Sequence, residues 1–137
     1  MPDITLPPGG IFSSIPFFDT CLAGSKKTIT SKIITRPFIL LSLKASFALG
    51  TNRLLLLQFY VSPDDEVPTS VPPNGYNLLS VYGQVSYLTG DNEQKELKHN
   101  AFIQDSNVFL KIFATNTDGF DHTIDASFTI YQLQEKV

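Results

Sequence analysis

The stretch VFLKIFATNTDGFDHTIDASFTIYQL, Val108 to Leu133, decides the reading of this chain. Two alternating runs, Val108 to Thr115 and His122 to Leu133, flank the turn-rich segment Asn116, Thr117, Asp118, Gly119, Phe120, Asp121. Val108, Leu110, Ile112 and Ala114 share one face of the first run, and Ile124, Ala126, Phe128 and Ile130 share one face of the second. That period of two marks strands with a buried side, and the pair predicts a long hairpin at the centre of an all-β domain. Phe109 and Phe113 fall on the opposite face of the first run, so a cover is expected there as well.

Upstream the pattern continues. In Phe38 to Leu49, Ile39, Leu41, Leu43, Ala45, Phe47 and Leu49 alternate with Leu40, Ser42, Lys44, Ser46 and Ala48, predicting a strand with a clean inside and outside. After a turn at Gly50 to Arg53, Leu54 to Val61 is apolar on both faces and reads as a central strand. Ile11 to Phe18, broken by Pro16, suits a short edge strand, and the next loop holds Asp19, Thr20, Cys21 and Gly24. Lys26 to Arg36 is β-branched and polar, as a partly exposed strand requires. Tyr76 to Leu88 predicts a short helical piece near Leu78 and then a strand, and Leu97 to Ile103 a weak strand. About eight strands with turn signals roughly every ten residues point to an antiparallel β-sandwich, jelly-roll-like, with an immunoglobulin-like sandwich as the alternative.

Residues 1 to 10 carry Pro2, Pro7, Pro8, Gly9 and Gly10 and read as an extended arm, leaving residues 11 to 137 as one sandwich domain. Ser62 to Gly75, SPDDEVPTSVPPNG, has no periodicity and reads as a long loop of the kind that contacts partners. The candidate interaction residues are therefore Pro7 and Pro8 of the arm, Pro63, Pro68, Pro72 and Pro73 of the loop, and Tyr76 beside it.

Composition narrows the function classes. Charged residues are only 17%, against about a quarter in an average chain, while aromatics reach 12% with 11 Phe. The net charge of -3 and dispersed basic residues argue against nucleic acid. The N-terminus has no positive or apolar region of a signal peptide, and no apolar run approaches a bilayer's thickness, which predicts cytoplasmic synthesis and no membrane partner. Cys21, the single cysteine, forms no internal disulfide; it suits a small half-buried hydrophobe, or else a reactive or bridging thiol.

The densest polar cluster is Asn116, Asp118, Asp121, His122 and Asp125. Asn116, Asp118, Asp121 and Asp125 are candidate metal ligands, because a hard cation needs several oxygens around a tight turn; the bidentate Glu of a complete calcium loop is missing. Asn and Asp also cap turns with their own backbone, which accounts for the same residues without a cation. Neither His99 nor His122 has a nominated nucleophile, and no phosphate loop or serine elbow occurs, so no catalytic residue, no cofactor and no enzyme are expected. Tyr60, Tyr76, Tyr82, Tyr87 and Tyr131 are a candidate platform for sugar rings.

The reading that remains is a non-enzymatic assembly protein. It self-associates, with a trimer favoured, and meets other protein subunits. A jelly roll with these traits is similar in general style to virion components such as capsid, decoration and spike proteins, a likeness of fold that no motif carries. The alternative is a carbohydrate- or calcium-binding module.

Overall fold

The computed structural model describes residues 8–81, 86–105 and 107–133. It contains β1 (Ile11–Cys21), β2 (Lys26–Thr30), β3 (Phe38–Phe47), β4 (Leu55–Ser62), β5 (Tyr76–Asn77), α1 (Leu78–Val81), β6 (Glu93–Ile103), β7 (Phe109–Asn116) and β8 (His122–Gln132). Two four-stranded antiparallel sheets are ordered β1-β8-β3-β6 and β2-β7-β4-β5. Successive strands alternate between the sheets up to β4, and the last two are inserted between earlier ones. This is the jelly-roll connectivity. The predicted jelly-roll sandwich is what forms, and the immunoglobulin-like order is not adopted.

The core lies between the sheets. Val108, Leu110, Ile112 and Ala114 face Ile124, Ala126, Phe128 and Ile130 across it, together with Leu55, Leu57, Phe59 and Val61 of β4. Phe128 is at its centre, meeting Phe17 and Phe59 edge to face, each with ring centroids 5.5 Å apart.

Val108 to Leu133 is not a hairpin. β7 belongs to one sheet and β8 to the other, so residues 117–121 form an arch from sheet to sheet. Strands that face one another across a core bury the same alternating set as strands paired within a sheet. The pattern therefore identified both strands and both inward faces but not which partner each takes.

Four further expectations are corrected. The alternation of β3 is not continuous, because between Leu40 and Ser42 the register advances one residue on β8 (Ile130 to Thr129) and three on β6 (Ala101 to Lys98). This bulge switches the phase, so Leu40, Leu43, Ala45 and Phe47 face the core, while Leu41 is half-buried and Leu49 lies exposed past the strand end. β1 is a true edge strand but runs on to Cys21, through residues read as loop, because all eleven positions pair with β8. β2 stops at Thr30, and Ile34 makes only an isolated bridge to Val108. β6 is longer than expected, beginning at Glu93; the predicted helical piece is present at α1, and of the strand expected after it Leu88 bridges Leu57 while residues 82–85 lie outside the described residues.

Candidate functional site

The polar turn that dominates the sequence is occupied with holding the fold. Asn116, buried, donates from Nδ2 to the carbonyls of Cys21 (3.0 Å) and Phe120 (2.8 Å), and its Oδ1 accepts from the Asp118 amide (2.9 Å). Asp118 Oδ2 lies 2.8 Å from His122 Nε2, and its Oδ1 accepts from the Gly119 amide. Asp121 Oδ1 accepts from the Ala23 amide at 2.8 Å, tying the arch to the β1–β2 turn. Asp125 stands apart on the outer side of β8, in register with Phe18 and Ser46. The four candidate ligands thus address different neighbours, and no group of three metal-binding side chains converges among the described residues. Cys21 is fully buried, with Sγ 3.5 Å from the Ser25 carbonyl, and burial pushes its thiol up, which suits a packing role.

The same end of the sandwich has a second clamp. Asp91 Oδ1 accepts from the amides of Gly50 (2.9 Å) and Asn52 (3.2 Å), fixing a turn in which Asn52 and Arg53 both hold left-handed backbone. With the loops so held, Leu22, Leu49 and Phe120 project outward from three of their tips.

The long loop after β4 is a cover for the outer face of its sheet. Lys111, on the face of β7 opposite the core, is 0% exposed and donates to Asp64 Oδ1 at 2.8 Å and to the Glu66 carbonyl at 2.6 Å. Thr28 of β2 donates to the Pro68 carbonyl at 2.6 Å. The Lys111 ammonium and then the Asn74 amide hold the Asp64 carboxyl well below the usual range, at about 2. Beneath this strap Phe113 is buried, the cover that its outward position in the sequence demanded. Pro73 is buried and Pro68 half-buried, while Pro63 and Pro72 are exposed, as is Pro8. Pro7 lies outside the described residues.

The tyrosines do not form one platform. Tyr60 and Tyr131 are buried on the outer sides of opposite sheets, Tyr76 is 64% exposed beside the strap, Tyr87 is at the margin of exposure, and Tyr82 lies outside the described residues. Tyr131 instead receives the Gly10 amide on its hydroxyl at 2.9 Å and meets the Phe12 ring edge to face at 4.8 Å. A Cβ on Gly10 would lie 2.3 Å from the Tyr131 ring, so only glycine lets the chain cross there.

Large apolar side chains remain exposed along β1. Phe12 is 62% and Phe18 77% exposed on the outer side of this edge, and Ile11, on the opposite face, is exposed at the start of the strand. Pro16, midway, removes an amide donor from the edge, which discourages open-ended strand addition. On its inner side the seam between the sheets is closed at one end by the Asp19–Lys27 ion pair (2.6 Å). It widens at the other into a groove of about 500 Å³ between Ser13–Pro16 and Thr30–Ile34.

No family model matches the sequence, and no curated protein matches it. Among solved structures the chain is similar to one in the cyanophage Pam1 capsid asymmetric unit, with TM-score 0.52 and 13% identity over 97% of this chain and 93% of that one. It also matches the infectious bursal disease virus VP2 subviral particle (TM-score 0.45, 10% identity, 96% of this chain) and particles derived from that virus (TM-score 0.43, 9% identity). It spans 37% and 36% of those two chains. The likeness to the Pam1 chain extends over the whole jelly roll and is a likeness of fold.

Proposed function

We propose that this protein is a non-enzymatic structural subunit of a virion, a small jelly roll that associates with copies of itself and with other coat subunits. The observation that carries the reading is the end-to-end correspondence with a chain of similar length in the Pam1 capsid asymmetric unit, where each chain covers nearly all of the other. A jelly roll by itself serves many functions, so the surface must support the assignment. It does so in two ways. The loops most able to move are tied down by Asn116, Asp91 and Lys111, which makes a rigid building block. Among the described residues, half of its large exposed apolar side chains, Ile11, Phe12 and Phe18 of β1 and Leu22, Leu49 and Phe120 of the loop tips, lie where contact with other subunits would remove them from water.

Self-contact is assigned to the outer side of β1, through Phe12 and Phe18, in a closed trimer. Because Pro16 interrupts the edge, the contact is made by side chains rather than by strand pairing. Sedimentation velocity over a range of concentrations tests this: the expected species is a trimer, and a monomer persisting at high concentration contradicts self-association.

A further inference from the structure

The ends of β4 and β5 and the start of β7 meet around a second pocket, of about 490 Å³, lined by Val61, Ser62, Pro63, Gly75, Tyr76, Asp105, Asn107 and Val108. Three observations make it more than a surface dimple. Ser62 is 1% exposed, and its hydroxyl has no protein partner, so the wall contains a buried polar atom that a ligand or a water must satisfy. Gly75 holds φ +123, and a Cβ there would lie 2.1 Å from the Val61 carbonyl oxygen, so only glycine brings the strap this close to β4. Asn107, with φ 61, occupies the left-handed region that Asn tolerates better than most residues, immediately before the strand that pairs Phe109 with Ser62.

The lining selects a ligand class. Pro63 and the exposed ring of Tyr76 supply apolar area over the buried Val61 and Val108, whereas the Asp105 carboxylate, the Asn107 amide and the Ser62 hydroxyl supply acceptors and donors. A pyranose has the matching division, with C–H faces for an aromatic ring and hydroxyls for carboxylate and amide. No cationic side chain lines the pocket among the described residues, and its one charge is negative. That disfavours phosphorylated, sialylated and uronic sugars. The volume lies in the range of small-molecule sites.

We infer that this pocket binds a neutral pyranose, with Tyr76 as the stacking surface and Asp105, Asn107 and Ser62 as hydroxyl partners. The inference goes beyond the assembly reading and does not depend on it, since the pocket lies apart from Phe12 and Phe18 of β1.

An array of neutral, sialylated and uronic-acid oligosaccharides, followed by saturation-transfer NMR with the methyl glycosides of neutral hexoses, tests it. Neutral glycosides are expected to bind. Tyr76→Ala and Asp105→Ala each weaken binding about tenfold or more, the effect of losing one good contact. Both residues are exposed, so unchanged melting temperatures are expected. Ser62→Ala separates a ligand contact from a packing role: affinity falls while the melting temperature holds or rises. Affinity unchanged in all three variants places the sugar elsewhere and overturns the site. Preference for anionic sugars, binding of a primary amine such as N-acetyl-lysine amide with no sugar bound, or no binding by any probe overturns the ligand class.

Discussion

The arch from Asn116 to His122 and the pocket beside Ser62 are opposite cases of how polar residues are used. In the arch, Asn116, Asp118, Asp121 and His122 are gathered within seven positions of sequence, and each has a partner within the protein. In the pocket, Ser62, Tyr76, Asp105 and Asn107 are scattered over forty-six positions, and the buried hydroxyl has none. Density along the chain therefore marks the place where backbone must be turned from one sheet to the other, while an unsatisfied group in a formed cavity marks the place where something else is accommodated.

The contrast can be broken most sharply at Asn116. Asn116→Ala removes three hydrogen bonds and leaves the Cys21 and Phe120 carbonyls short of a donor, so urea unfolding should show a loss of about 3 kcal/mol. Sugar binding by the folded variant should be unchanged, since the arch contributes nothing to the pocket.

Gly75→Ala acts on the pocket side. The Cβ must displace backbone of β4 and adopt a left-handed conformation, which costs about 2 kcal/mol and should also abolish ligand binding. A smaller effect is expected at the strap. Asp64→Asn keeps an acceptor but strips the buried Lys111 ammonium of its counter-charge, so it should destabilise more than Lys111→Met, which removes the charge and keeps the apolar stem. Limited proteolysis within 63–75 reads this directly. Because the folded state lowers the Asp64 pKa from 3.8 to about 2, the pair's stabilisation is complete above about pH 4 and is lost as pH falls toward 2. Cleavage of the strap should accelerate over that window in the wild type and not in Asp64→Asn. Phe120→Ser, at an exposed tip that the arch merely carries, should change stability by no more than about 0.5 kcal/mol.

These regions also show what the sequence could express. The inward faces of β7 and β8 were readable because each keeps a period of two against a single core, whereas β4, apolar on both faces, was readable only as a central strand. The outward Phe113 correctly demanded a cover, which the strap provides. The bulge in β3 was not readable, since FILLSL remains apolar in either phase, and the arch resembled a hairpin because facing and paired strands share one pattern. Nothing local linked Ser62 to Asp105. Their proximity comes from β4 and β7 pairing across forty-six residues of intervening chain, between Ser62 and Phe109. Gly75 and Asn107 were the available hints, as residues that tolerate left-handed backbone, but many loops contain both types.

The assembly claim is tested most directly by sedimentation velocity on the wild type beside the Phe12→Ser, Phe18→Ser double variant. The expected result is a trimer for the wild type and a folded monomer for the variant. A wild type that stays monomeric, or a variant that associates as well as the wild type, contradicts it.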